Sequence, residues 1–82
     1  MSESEEKYLK TIFILAEAQN EVRSIDIAST LRCSKDSVCR AMKILKEYGY
    51  ITMESHGRIN LTQPGYTKAK SIFIREFLDL LQ

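Results

Sequence analysis

The sequence contains no tryptophan, one histidine, one proline and only two cysteines. Cys33 and Cys39 are six positions apart, and the single histidine is His56. This spacing matches neither a zinc finger nor a CxxC redox pair. The sequence also lacks a P-loop and a glycine-rich nucleotide-binding fingerprint. We therefore expect two reduced thiols, no metal site, no cofactor and no enzymatic activity.

Long hydrophobic runs are absent as well. No apolar run approaches the roughly 18 residues that would span a membrane. The N-terminus reads MSESEEK, which is acidic where a signal peptide would be basic. These features predict a cytoplasmic protein that makes no membrane contact. With 82 residues, 44% hydrophobic and 28% charged, the chain should form one folded domain over residues 1–82.

The segment Ser34–Ile51, with the sequence SKDSVCRAMKILKEYGYI, is typical of a DNA-recognition helix that ends at a glycine and leads into a strand. From Arg32 to Lys46 the net charge is +4, whereas the whole chain carries only +1. Positive charge is therefore concentrated where a phosphate-binding surface would need it, although any surface helix can carry a merely solvated polar face. At about 100° per residue, one face holds Val38, Ala41, Met42, Leu45 and Tyr48, and the other holds Asp36, Cys39, Arg40, Lys43, Lys46 and Glu47.

The order of elements predicts a mainly α winged helix-turn-helix, with three helices, a two-stranded wing and a C-terminal helix. Serine and threonine residues stand where helix caps are needed, and Gly49 supplies the residue that ends the third helix. The predicted segments are a first helix from Ser2 or Ser4 to Gln19, an extended Val22–Arg23, a helix Ile25–Leu31 capped by Ser24, a helix capped by Ser34, strands Ile51–Ser55 and Arg58–Leu61 around a His56-Gly57 turn, and a helix capped by Thr62 with Pro64 in its first turn.

The last helix, at about residues 63–82, carries more apolar residues than one small core can cover. A helix that lies on a single core needs an apolar stripe of little more than about 100°. We expect the surplus to form a two-fold dimer interface, because a second copy would add the core that a short chain lacks. The alternative is that the surplus packs only on the first helix. The predicted interface residues are Ile74, Phe77, Leu78 and Leu81.

Four runs of the sequence resemble the N-terminal winged-helix domain of the iron- and manganese-dependent repressors, the diphtheria-toxin-repressor-like family. The resemblance extends from Glu6 to about Ala69 and weakens in the last helix. It implies a homodimer that binds a palindromic operator with one recognition helix in each half-site. Generic winged-helix regulators, including the MarR-like ones, share this architecture. The runs are EKYLKTIFILAE, VRSIDIASTL, CSKDSVCRAMKILKEYGYI and INLTQPGYTKA.

The same resemblance implies which residues contact DNA. In the family, the N-terminal part of the recognition helix reads bases, and an arginine before the second helix contacts phosphate. Carried over to this sequence, the base-reading residues are Ser34, Asp36, Ser37 and Arg40, and the phosphate-contacting residues are Arg23, Lys35, Lys43, His56 and Arg58.

The sequence departs from the family at the positions of the metal ligands. These positions align with Lys7, Lys10 and Glu76, and a protonated lysine has no lone pair to offer a metal. The sequence given also ends at Gln82, before the dimerisation helices and the remaining ligands of the family. We therefore expect that metal control is lost. We further hypothesise that Glu76 pairs with Lys7 or Lys10 where the family holds its metal; the alternative is that all three are solvated.

These observations predict a sequence-specific DNA-binding transcriptional regulator, a repressor that binds palindromic double-stranded DNA as a homodimer without a metal. Two other readings remain open at this stage. One is a winged-helix module that contacts proteins and not DNA; the other is the DNA-binding part of a metal-responsive repressor. The charged face of the recognition helix argues against the protein-contact module, since such a helix more often carries an aromatic or aliphatic anchor.

Overall fold

The computed structural model describes residues 1–82 and contains four helices and one two-stranded antiparallel sheet. The predicted winged helix-turn-helix is confirmed. The elements in chain order are α1 (Glu3–Ala18), α2 (Ser24–Leu31), α3 (Lys35–Glu47), β1 (Ile51–Met53), β2 (Ile59–Leu61) and α4 (Gln63–Leu80).

α1 begins with the predicted capping box. The Ser2 hydroxyl accepts a hydrogen bond from the Glu5 backbone N–H at 3.1 Å, and the Ser2 N–H donates to the Glu5 carboxylate at 3.0 Å. Two backbone donors that the first helical turn leaves free are satisfied in this way. The inner face of α1 buries Leu9, Ile12 and Phe13.

α2 begins at its predicted cap, one residue earlier than the predicted first helical residue. Ser24 is the first helical residue, and Arg23 occupies the cap position. The Arg23 backbone N–H donates to the Asp26 carboxylate at 2.8 Å, so an acidic side chain three residues further on supplies the acceptor that Ser24 was expected to provide. α2 ends at Arg32, which adopts the left-handed conformation at φ 54° and turns the chain towards α3.

The hairpin is shorter and its turn is longer than predicted. Each strand has three residues, with Thr52 opposite Asn60. The turn is closed by a hydrogen bond from the Gly57 N–H to the Glu54 carbonyl oxygen at 2.9 Å and another from the Glu54 N–H to the Arg58 carbonyl oxygen at 2.9 Å. The turn therefore extends over Glu54–Arg58 and is not the two-residue turn expected at His56-Gly57. Gly57 adopts φ +99°, which a glycine tolerates.

A single core joins all the elements. The Ile59 N–H donates to the Val22 carbonyl oxygen at 2.8 Å, which ties the segment before α2 to the outer edge of β2. The buried apolar residues come from every helix and both strands. They are Leu9, Ile12, Phe13, Val22, Ile27, Val38, Ala41, Met42, Leu45, Ile51, Ile59, Ala69 and Ile72.

One residue of the predicted inner face of α3 lies outside the core. Tyr48 is 47% exposed, whereas Val38, Ala41, Met42 and Leu45 are buried as predicted. The Tyr48 ring stacks on Tyr50 at a centroid distance of 5.5 Å, and its hydroxyl donates to the Glu5 carboxylate at 3.2 Å. This hydrogen bond raises the pKa of Tyr48. The residue therefore links the end of α3 to the start of α1 at the surface.

The start of α4 is held tightly against the end of α3. Thr62 caps α4 as predicted, because its hydroxyl oxygen accepts a hydrogen bond from the Gly65 N–H at 3.1 Å. The same hydroxyl donates to the Gly49 carbonyl oxygen at 2.6 Å, and the Thr62 N–H donates to the Tyr50 carbonyl oxygen at 3.0 Å. Gly65 is buried, and a Cβ atom there would lie 1.8 Å from the Tyr50 carbonyl oxygen. Only a glycine fits this approach.

Aromatic rings and ion pairs hold α4 against α1. The Phe13 ring lies 5.5 Å from the Tyr66 ring and 5.7 Å from the Phe73 ring. The Lys10 ammonium lies 2.5 Å from the Glu76 carboxylate, which confirms the hypothesis that Glu76 pairs with a lysine of the first helix. The two side chains are 25% and 44% exposed, so water screens the pair and it contributes at most about 1 kcal/mol.

A second ion pair, between Arg75 and Glu6, lies one turn from the first. The Arg75 guanidinium donates to the Glu6 carboxylate at 2.8 Å. This hydrogen bond lowers the pKa of Glu6 below its ordinary value of 4.5. The carboxylate therefore keeps its charge at a lower pH than an isolated glutamate would. Beyond these contacts, the outer half of α4 exposes apolar side chains. No helix of the protein is both long and apolar enough to cross a membrane.

The contact at Gly65 generates a prediction about stability. Gly65→Ala should lower the free energy of unfolding by about 3 kcal/mol, because the new Cβ must displace backbone rather than a flexible side chain. Gly49→Ala is the matched control: its surroundings are open, and only its left-handed φ of +80° is strained, at about 1 kcal/mol. Urea unfolding followed by circular dichroism measures both. Equal losses in the two variants would contradict the close approach.

Candidate nucleic-acid interface

The N-terminus of α3 is organised by two serines. The Ser34 hydroxyl accepts a hydrogen bond from the Ser37 backbone N–H at 3.1 Å, which confirms Ser34 as the cap. The Ser34 hydroxyl also donates to the Ser37 hydroxyl at 3.0 Å. Lys35 and Asp36 follow in the exposed first turn. These four predicted site residues therefore lie together at one end of the helix.

The solvent-facing side of α3 carries four basic side chains together with the acidic Asp36 and Glu47. Lys35, Arg40, Lys43 and Lys46 are exposed. None of the four forms an ion pair, whereas Lys10, Arg23, Arg58 and Arg75 are each paired with a glutamate. Because the core holds the apolar face of α3, its cations point away from the protein and remain free for an external anion.

A groove, which we call the α3–hairpin groove, separates α3 from the start of α2 and from the hairpin. It brings Arg23 and Lys35 to the same place beside Gly57, although they come from different elements. Further along α3, Lys43 and Lys46 border the same groove. Its lining is Arg23, Ser24, Ile25, Lys35, Cys39, Met42, Lys43, Lys46, Met53 and Gly57.

Arg40 lies towards the other edge of the exposed face of α3, about 100° around the helix from Cys39. There it borders a depression shared with the N-terminus of α1, together with Ser37 and Tyr8. The Tyr8 hydroxyl donates to the Cys33 sulfur at 3.6 Å, and this hydrogen bond raises the pKa of Tyr8, against a smaller opposing effect of the Arg40 charge. The predicted site residues of α3 are therefore spread across the full width of its exposed face.

Arg23 connects the segment before α2 to the tip of the hairpin. Its guanidinium donates to the His56 carbonyl oxygen through Nη1 and to the Glu21 carboxylate through Nε at 3.0 Å. The hydrogen bond from Arg23 lowers the pKa of Glu21. Arg23 is therefore half-buried and engaged within the protein, and is not a free cation like those of α3.

His56 and Arg58 also have partners within the hairpin region. The His56 Nε2 atom lies 3.6 Å from the Glu21 carboxylate and 3.8 Å from the Glu54 carboxylate. Arg58 donates to the Asn20 carbonyl oxygen at 3.1 Å, and its Nε atom lies 3.8 Å from the Glu54 carboxylate. Two arginines thus meet two carboxylates, which leaves this cluster with no formal charge when His56 is neutral.

Sequence reasoning did not identify the carboxylates that pair with the basic residues of the hairpin region, nor several residues that line the groove. It did not include Glu21 and Glu54, although Glu54 stands four residues before Arg58 across the turn. It also left Lys46 outside the site, although Lys46 follows Lys43 by three residues on the same exposed face. Ile25 and Cys39 carried no local signal, because their place in the groove depends on how α2 packs beside α3.

The residues at the family's metal positions do not fit a metal ion. The Lys10 ammonium is hydrogen-bonded to Glu76, and an ammonium group offers a metal no lone pair. No group of three or more histidine, cysteine, aspartate or glutamate side chains is placed to hold a metal ion anywhere in residues 1–82. The metal chemistry that the resemblance implies therefore has no ligand set among these residues.

Solved structures of known proteins share this fold. The chain is similar over 99% of its length to MepR, a transcription regulator of the Staphylococcus aureus multidrug efflux pump MepA, at 20% identity and a TM-score of 0.74. It is similar to a mutant of S. aureus MepR bound to an oligodeoxyribonucleotide, at 20% identity and a TM-score of 0.67. The chain spans 63% and 64% of the length of these two proteins, and at such identity the likeness shows the fold.

No curated protein sequence matches the chain. Residues 1–58 match the family described as "Iron dependent repressor, N-terminal DNA binding domain", which covers α1, α2, α3, β1 and the turn of the hairpin. The family and the similar structures are those of transcription regulators and not of enzymes. The chain belongs to the iron-dependent repressor N-terminal DNA-binding domain family.

Proposed function

We propose that this DNA-binding domain recognises specific palindromic sites in double-stranded DNA as a two-fold homodimer and represses transcription. The observation that carries the proposal is the set of four unpaired cations on the exposed face of α3, in a chain whose net charge is only +1. A helix of this kind enters the major groove, where its exposed side chains meet phosphates and base edges together.

The cations of α3 serve different purposes in this proposal. Lys35, Lys43 and Lys46 border the α3–hairpin groove and neutralise phosphates. Arg23, His56 and Arg58 add weaker phosphate contacts, because Glu21 and Glu54 compete with DNA for them. The lysines of α3 therefore supply most of the electrostatic affinity.

Arg40 is proposed to read a base. It is exposed one turn into α3, forms no ion pair, and borders only a shallow polar depression, so its guanidinium is free to turn outwards. The two donors of a guanidinium fork match the O6 and N7 acceptors of guanine in the major groove. Ser34, Asp36 and Ser37 flank this contact at the start of the helix and position it.

The homodimer is proposed to form through the outer half of α4. Large apolar side chains remain exposed there in the single chain, and monomeric proteins rarely expose a contiguous apolar patch of this kind. Ile14 of α1 lies beside them and extends the same surface. The exposed large apolar residues of the outer half of α4 and its end include all four predicted interface residues. They are Phe73, Ile74, Phe77, Leu78, Leu80 and Leu81.

DNA binding by this domain is proposed to need no metal ion. The Lys10–Glu76 and Arg75–Glu6 ion pairs connect α1 to α4 with side chains alone. The first of these pairs joins two positions that align with metal ligands of the family, and this supports the proposal.

Salt dependence tests the DNA-binding surface. With three lysines per half-site neutralising phosphates, a dimer makes about six such contacts, and the logarithm of the affinity should fall against the logarithm of the salt concentration with a slope of about −5. Lys43→Ala should reduce the slope by about 2 per dimer, because each subunit loses one contact.

The matched control for this titration is Lys70→Ala, which removes the same charge from the exposed surface of α4 and should leave the slope unchanged. The wild-type titration is run with and without a chelator, and we expect the same affinity. A nearly salt-independent affinity would favour the protein-contact module instead, and a loss of binding in the chelator would contradict metal independence.

Base readout by Arg40 is tested by selecting bound sites from random duplexes. The wild type should select a palindrome, and Arg40→Ala should lose about 1–3 kcal/mol of discrimination at one base pair in each half-site while preference elsewhere persists. Lys43→Ala is the comparison, since it should weaken binding to all duplexes evenly. An even loss in the Arg40 variant would identify Arg40 as a phosphate contact.

The dimer is tested by sedimentation equilibrium at micromolar concentration. Leu78→Glu should give a folded monomer, because Leu78 is 55% exposed within one chain and a charge there can be buried only by a partner. Ile25→Glu is the matched control, since Ile25 is 58% exposed but lies away from α4, and this variant should remain dimeric. A monomeric wild type would contradict the proposed dimer.

A further inference from the structure

The α3–hairpin groove combines an apolar floor with a positively charged rim. Its floor is formed by Ile25 from the first turn of α2, Cys39 from the middle of α3 and Met53 from the end of β1. Lys35 borders the groove at one end, and Lys43 with Lys46 borders it at the other. The two features come from three elements, α2, α3 and β1, and meet only in the tertiary structure.

Ile25 is unusual among the exposed residues. Outside α4 and the residues that follow it, Ile25 is the most exposed large apolar side chain, at 58%. It does not belong to the proposed dimer surface, because it lies in the groove on the side of α3 that faces the hairpin. Its neighbours at the rim are lysines, which attract a polyanion and are a poor setting for an apolar protein partner.

Ile25, Cys39 and Met53 offer a ligand apolar contact, beside the hydroxyl of Ser24. Isoleucine has no polar side-chain atom, and the sulfur atoms of cysteine and methionine are weak hydrogen-bonding groups. In the major groove of DNA, each base pair presents donors and acceptors, and thymine adds one apolar group, its 5-methyl. A polyanion that also presents an apolar methyl group in its groove therefore matches both the charged rim and the apolar floor.

We propose that the α3–hairpin groove accepts the 5-methyl group of a thymine in the major groove, with Ile25 and Cys39 as the specificity-determining contacts. The inference rests on the proposed DNA-binding function and extends it. Arg40 lies towards the other edge of the exposed face of α3, so the two edges of this face read different bases: the arginine edge reads guanine and the groove edge reads thymine.

The test compares thymine with deoxyuridine, which differs from it only by the missing methyl group. A duplex selected from random sequences by the wild type is resynthesised with each dT replaced in turn by dU. Replacement of the contacted thymine in one half-site should lower the affinity about fourfold, the effect of removing one methyl-sized apolar contact of about 0.8 kcal/mol. Replacement in both half-sites should lower it more than tenfold, and replacement elsewhere should have no effect.

Variants of Ile25 connect this effect to the groove. Ile25→Ala should bring the dT/dU affinity ratio close to one, and Ile25→Val should give an intermediate ratio; the exposure of Ile25 means that neither should disturb the fold. Thr30→Ala is the matched control, because it shortens an exposed β-branched side chain of the same helix that does not line the groove, and it should keep the wild-type ratio.

Three results would overturn the proposal. The first is a selected site without a thymine, the second is an affinity that stays within about twofold at every dU position, and the third is an Ile25→Ala protein that keeps the wild-type ratio. Sequence preference and the salt slope, measured on the same duplexes, would then still support DNA binding itself. If no duplex is bound at low salt, the proposed function fails together with the groove.

Discussion

The burial of the inner face of α3 is the interaction on which the rest of the structure depends. Val38, Met42 and Leu45 are almost completely inaccessible, and they fix the rotation of the helix about its axis. Once that rotation is set, the side chains half a turn away must face solvent. The same apolar contacts that stabilise the small core therefore also determine which residues of α3 can meet DNA.

Charge is distributed over the fold in two ways. Between α1 and α4 and around the hairpin, four basic residues are paired with glutamates, as in Lys10–Glu76 and Arg23–Glu21, whereas Lys7, Lys68 and Lys70 form no ion pair. Along α3 the basic residues are unpaired. Exposed ion pairs contribute little to stability, so the paired residues mainly cancel charge away from α3. The result is a protein of net charge +1 in which the exposed face of α3 keeps four cations without an ion pair, an arrangement that suits binding to a polyanion.

Several elements could be predicted because their causes are local. The capping box at Ser2 and Glu5, the caps at Ser34 and Thr62 and the left-handed Gly49 each depend on residues within a few positions of one another. The predicted start of α2 was wrong by one residue, because Asp26 provides the acceptor and Ser24 does not. A short-range competition between two acceptors is difficult to decide from sequence when both stand at suitable positions.

The site itself was predictable only in part. The exposed lysines of α3 follow from its periodicity, but the partners of Arg23, His56 and Arg58 do not, because Glu21 and Glu54 meet them through the fold of the hairpin. Tyr48 has the right spacing for the core and lies outside it. At the end of a helix the chain turns away, so the periodicity no longer reports which side is covered.

The sequence by itself determined the order of helices and strands, their caps and the two-sided character of α3, since hydrogen bonds along the chain and the helical repeat act over short separations. Only the tertiary structure decided which charges are neutralised, that Gly65 must approach Tyr50, and that Ile25, Cys39 and Met53 form one groove. These contacts join residues far apart in the sequence, and their geometry exists only after the shared core has brought the elements together.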